Sequence, residues 1–98
     1  MKHATLATID ALEPLRTQIR AIDGLAERKP GLFAKGGRAY LHFHEDPDGI
    51  YADVRAGDDW DRYRVSTVAE RRVLLRALKQ GAVLRVSDES SGARGAIR

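Results

Sequence analysis

From Leu32 to Arg55 apolar and polar side chains alternate at period 2, and two turn signals cut the alternation into three short strands. Gly36 and Gly37 suit a two-residue hairpin turn that sets Lys35 opposite Arg38. Asp46 to Gly49 suit a second turn, with Pro47 shaped for its first corner and Gly49 supplying a free backbone. Together the turns dictate a register in which Glu45 faces Ile50, His44 faces Tyr51, Phe43 faces Ala52, His42 faces Asp53, Leu41 faces Val54 and Tyr40 faces Arg55. Leu32, Ala34, Ala39, Leu41, Phe43, Ile50, Ala52 and Val54 then share one face. Phe33, Lys35, Arg38, Tyr40, His42, His44, Tyr51, Asp53 and Arg55 take the other. A slip of one residue would mix the two sets, so the pattern predicts an antiparallel three-stranded meander with one buried face.

Helical periodicity flanks this block. Ile9, Leu12, Leu15, Ile19 and Ile22 recur at steps of three and four, which is one apolar stripe on a helix. Pro14 lacks a backbone donor and falls inside the stripe, so a kink or a restart is expected there, with Glu13 as a cap. Asp23 and Gly24 end the helix, and "LAERKPG" reads as a connector. After the meander, "AGDDWDRY" suits a short helical turn with Trp60 and Tyr63 on one side, Trp60 covering the core. The Thr67 to Gln80 segment is the clearest helix. Thr67 and Glu70 have capping-box spacing, Val68, Leu74, Leu75 and Leu78 form its apolar arc, and Gly81 ends it. "AVLRV" suits a last short strand. The fold expected is thus α+β, a three-stranded antiparallel meander packed on one face by an N-terminal and a C-terminal helix. It forms a single domain over residues 1–86, with 87–98 as a disordered tail.

A chain of 98 residues suits one small domain. The absence of cysteine excludes disulfides, thiol nucleophiles and thiolate zinc sites. No apolar run approaches the roughly 18 residues of a membrane span. The N-terminal stretch lacks a signal peptide's apolar block, so a cytoplasmic location is expected. The net charge of +3 is unevenly distributed, because residues 62–85 carry seven basic side chains and a single acid. That asymmetry points towards an anionic partner.

Two groups of residues carry candidate chemistry. His42 and His44 stand two apart on a strand, so their rings point to one side, and Asp53 opposite His42 adds a carboxylate. Two histidines and a carboxylate on one face can ligate zinc or iron. The plain alternative is cross-strand pairing without a metal. No serine or cysteine is placed to act as a nucleophile, so no catalytic residue is assigned. The second group is basic. Arg72, Arg76 and Lys79 form a stripe beside the apolar arc of the C-terminal helix, and Lys35 and Arg38 flank the Gly36–Gly37 turn. A basic helix and hairpin tip can follow a phosphate backbone, although arginines beside an apolar stripe also simply snorkel over its edge.

The stretch "ERKPGLFAKGGRAYLHFHEDPDGIYADVR", followed by "DRYRVSTVAERRVLLRAL", resembles a group of small conserved hypothetical proteins of mycobacteria and related actinobacteria. "KPGLF", "GRAYLHFHED" and "ADVR" are its most specific pieces. More distantly, a helix ending in glycine, a "KP" connector and a "GG" hairpin look like the MmcQ/YjbR-like family. That resemblance implies an α+β fold compared with DNA-binding proteins through its paired hairpins, and it carries no catalytic residue onto this chain. The leading expectation is therefore a small non-enzymatic binding or interaction module with nucleic acid as partner and no cofactor. The alternative is a metal-dependent or acid-base enzyme centred on His42, His44 and Asp53. A third reading is a protein partner or homodimer that meets the sheet face of Phe33, Tyr40 and Tyr51.

Overall fold

The structure is a computed structural model that describes residues 1–91, with side chains as far as residue 81. Its elements run β1 (Lys2–His3), α1 (Leu6–Ala11), α2 (Glu13–Arg20), β2 (Leu25–Lys29), β3 (Leu32–Lys35), β4 (Arg38–Asp46), β5 (Gly49–Ala56), β6 (Asp59–Arg64) and α3 (Val68–Ser91). All pairings are antiparallel, in the order β2, β3, β4, β5, β6. β1 pairs with β4, end to end with β3 along the same edge. The α+β class and the helices at either end match expectation, but the sheet has six strands rather than three.

The helical stripe is buried along its whole length, and the break falls where Pro14 requires it. α1 stops at Ala11 and α2 begins at Glu13 with the proline in its first turn, where a missing donor costs nothing. The residue at the break is Leu12, not Glu13, and its side chain packs into the core instead of capping. At α3 both halves of the expected capping box form. Thr67 Oγ1 accepts from the Glu70 amide at 3.1 Å, and Glu70 Oε1 accepts from the Thr67 amide at 3.0 Å.

The β4–β5 register is the expected one from Leu41–Val54 to Glu45–Ile50. Leu41, Phe43, Ala52 and Val54 meet Leu12, Leu15, Ile19, Leu74 and Leu78 in a single core. The three helices thereby cover one face of the sheet.

Several expectations are corrected. "LAERKPG" is a strand and a tight turn, because Pro30 and Gly31 close a β2–β3 hairpin. "DWDRYR" is strand β6, paired to β5 through a Gly57–Asp58 turn in which Gly57 has φ 64°. A Gly-Asp pair between alternating runs is a hairpin signal, and the pairing outcompetes a lone helical turn. The alternation puts Trp60 on the face away from the helices, so it does not cover the core.

Between β3 and β4 the register shifts by one. Ala34 pairs with Ala39, but Phe33 pairs with Leu41, which leaves Tyr40 as the extra residue of a β-bulge. The bulge exchanges Phe33 and Leu32 between faces. Phe33 is fully buried with Leu41, and Leu32 pairs with His42 on the other side. Tyr40 is buried too, so the aromatic patch expected for a protein partner is not formed.

Helix α3 continues through Gly81, so "AVLRV" is helical rather than a strand; one interior glycine costs about 1 kcal/mol, too little to stop an established helix. Residues 87–91 of the expected tail belong to α3, and 92–98 lie outside the described residues. Val68, expected in the apolar arc, is 64% exposed in the first turn. No described helix is long and apolar enough to cross a membrane.

One buried polar network ties the helical layer to the sheet. Glu27 on β2 accepts from Arg16 Nε at 2.7 Å, from the Gly31 amide at 2.7 Å and from Arg20. Arg16 also donates to the Ile9 carbonyl at 3.2 Å. Burial works to raise the Glu27 pKa, but these hydrogen bonds outweigh it and hold the carboxyl below its usual range.

Candidate metal centre

The face of the sheet opposite the helices carries the histidines. Cross-strand pairing sets the rows. His3, His44, Tyr51 and Arg64 lie side by side, then Leu32, His42, Asp53 and Arg62, and then Arg55 with Trp60. His42 and His44 are together because a strand's period puts them there. His3 joins them because β1 pairs with the end of β4, held by the Ala4 amide on the Phe43 carbonyl at 3.1 Å and the Thr5 amide on Glu45 at 2.7 Å. Thr5 also accepts from the Thr8 amide as the cap of α1, so the chain enters its first helix directly from this strand.

The three imidazoles form one cluster. Ring centroids are 4.6 Å apart for His42 and His44, 4.7 Å for His3 and His44, and 5.7 Å for His3 and His42. One ring nitrogen from each lies within 4.8 Å of those of the other two. A tetrahedral zinc ion with Zn–N bonds of about 2.0–2.1 Å brings its nitrogens to about 3.3 Å from one another. Closing that difference asks for movements of up to about 1.5 Å, on the scale of side-chain torsions. Trp60 closes one side, its ring centroid 4.8 Å from that of His42 and its plane tilted by 66°.

The chemistry around the rings fits a cation. Nδ1 of His42 and both nitrogens of His44 are buried without a well-formed hydrogen bond among the described residues, the Lys2 backbone standing near enough to His44 only to act on its pKa. Such orphaned polar atoms are costly unless something binds them. Burial pushes the pKa of His42 down, assisted by His44 and His3 and opposed by Asp53. Burial likewise lowers His44, with Asp53 opposing. Both rings are therefore neutral at neutral pH, the form that donates a lone pair to a metal.

Asp53 has a different role from the histidines. It is 6% exposed, and Arg62 grips it with both ends of its fork, Nε to Oδ1 at 2.7 Å and Nη2 to Oδ2 at 2.9 Å. The Arg62 guanidinium holds the Asp53 carboxyl below its usual range, against the opposing effect of burial. Oδ2 also lies 3.2 Å from His44 Nε2, an ion-pair distance without the in-line geometry of a hydrogen bond. Arg62 thus fixes the Asp53 carboxylate beside His44, the place from which a carboxylate can serve as the outer partner of a metal-bound histidine once the ring turns to donate to it.

The three metal residues named from sequence, His42, His44 and Asp53, are brought together on this face, and His3 is added to them by the β1–β4 pairing. Arg62 was missed, because the segment that carries it read as a helical turn. The basic residues fall on two elements. Arg72, Arg76 and Lys79 are exposed on α3, whose neighbours are α2 and β6. Lys35 and Arg38 flank the β3–β4 turn, with Lys35 Nζ 5.0 Å from the Tyr40 ring centroid. No protein-family model, curated protein or solved structure matches the chain, so the resemblance drawn from its sequence rests on the motifs themselves.

Proposed function

We propose that the protein binds a divalent transition-metal ion, with zinc the reference case, through His3, His42 and His44, and that Asp53 positions His44 instead of ligating. The observation that carries this is the convergence of three imidazoles, the exposed His3 with His42 and His44, the last two holding buried nitrogens without a well-formed hydrogen bond. Three histidine ligands leave the fourth tetrahedral position open, the pattern of zinc sites that activate water rather than purely structural ones. The reading thus favours the metal-dependent alternative, with hydrolytic chemistry as its class.

Zinc titration of the purified protein by calorimetry tests it, with cobalt absorption reporting the geometry. Expected is one ion per chain at micromolar concentration or tighter, with tetrahedral cobalt bands, and a large loss of affinity in both His3→Ala and His42→Ala. No binding at micromolar zinc would refute it, as would an affinity indifferent to His3.

A second reading, a non-enzymatic nucleic-acid-binding module, is supported by Arg72, Arg76 and Lys79, which are exposed and form no ion pair among the described residues. Fluorescence anisotropy of an arbitrary DNA duplex at two salt concentrations tests this one. Binding should weaken steeply with salt and vanish in Arg72→Glu/Arg76→Glu. A duplex that stays free at low salt removes the reading.

A further inference from the structure

At the end of the sheet where the β3–β4 and β5–β6 hairpins turn, a cavity of about 260 Å³ lies between the turns, lined by Lys35, Gly36, Arg38, Tyr40, Arg55 and Gly57 among others. Gly36 and Gly57 are there for the turns, with φ 60° and 64°. Every charged side chain in the lining is a cation. Neither Arg38 nor Arg55 is ion-paired with a carboxylate among the described residues. Cations gathered round one cavity with no acid among them repel one another, and an anion relieves that repulsion.

Arg55 is held in place. Its Nε donates to the Ala39 carbonyl at 2.8 Å, and its guanidinium lies 4.4 Å over the Trp60 ring. Those contacts use one nitrogen and one flat face of the group. The two terminal amino groups, which have no hydrogen-bond partner among the described residues, form a preorganised fork of the kind that matches an oxyanion. The volume is below that of a drug-sized pocket, which suits a small, compact group.

We infer that this cavity is a subsite for a phosphate-type oxyanion, gripped by Arg55 and Arg38 with Lys35 adding charge. The inference does not rest on metal binding, though the two sites share the same face. Arg55 is two residues from Asp53 along β5, about 7 Å at strand rise, and Trp60 lies between it and His42. A phosphate ester bound by its phosphate would therefore extend over Trp60.

The experiment titrates inorganic phosphate into the 15N-labelled, metal-free full chain at constant ionic strength set with chloride. Expected are saturable shifts of the Gly36 and Gly57 amides and of the Arg55 Nε–H signal. Arg38→Gln should weaken binding about tenfold, since it deletes a charge-assisted contact. Arg38 is exposed, so this loss is not a loss of fold. Arg55→Lys, which keeps the charge and removes the fork, should weaken it as well. A linear drift, an equal response to chloride, or an isotherm unchanged in Arg38→Gln overturns the inference. Phenyl phosphate and an oligonucleotide without terminal phosphates then separate the two sources of this group, since only the second presents diesters. If phosphate binds while zinc does not, the metal reading alone falls, and the converse result removes only this one.

Discussion

Gly31 closes the β2–β3 hairpin at φ 82°, and a Cβ built there would stand 2.5 Å from Ile9 Cδ1. Gly31→Ala is therefore penalised twice. An L-residue held in the left-handed region costs about 1–2 kcal/mol. The new methyl adds an overpacking term of about 1–3 kcal/mol, since Ile9 is buried on α1 and its terminal carbon has only a packed core to move into. Against these, alanine stiffens the unfolded chain and returns about 0.4–1 kcal/mol. The net loss should be about 3 kcal/mol, a large part of the 5–15 kcal/mol that such a domain has. Gly36→Ala is the control, because φ is 60° there and nothing lies within 4 Å of the added carbon. It should lose only about 1 kcal/mol, from the backbone alone. Ile9→Val removes the clashing carbon, so in the Gly31→Ala background it should cost far less than its usual 0.5–1.5 kcal/mol, roughly speaking, or restore stability outright. Urea unfolding with unchanged slopes provides the assay. If Gly31→Ala costs no more than Gly36→Ala and adds independently to Ile9→Val, the close approach of α1 to this hairpin is wrong.

Phe43→Ala, which empties a buried position between β4 and the helices, should cost about 3–5 kcal/mol, and a loss below about 1 kcal/mol would contradict the register of the sheet. Glu27→Gln leaves the buried Arg16 with only Glu13, a half-exposed partner 3.0 Å away, as counter-charge and should lose about 2 kcal/mol at neutral pH by denaturant unfolding. The Glu27 pKa is depressed in the folded state, so its stabilisation is complete above its unfolded value and disappears as pH falls through the folded one. The Gln variant should lose that part of the acid-side slope, and an identical slope would count against the network. Asp53→Asn should lower zinc affinity about 10–100-fold and change the ring-nitrogen shifts of His44 while the fold persists. Unaltered affinity would show that His44 needs no partner behind it.

Legibility followed locality. The apolar stripe from Ile9 to Ile22, the Thr67–Glu70 capping box and the Leu41–Val54 register were readable because each depends on side chains a few residues apart, or on one tight turn. Other features depended on which segment a strand meets. The bulge at Tyr40 adds one residue that period-2 alternation cannot reveal. It forms because Phe33, beside Leu41, joins the buried core. β2 and β6 exist because the meander offers them open edges, which outweighs the weak preference of "LAERK" and "DWDRYR" for other structure. The site shows the same division. His42, His44 and Asp53 share a face by strand arithmetic that the amino-acid order already contained. His3 could be assigned only in three dimensions, because a two-residue strand has no period of its own and takes its place from the backbone donors and acceptors left free along the edge of β4.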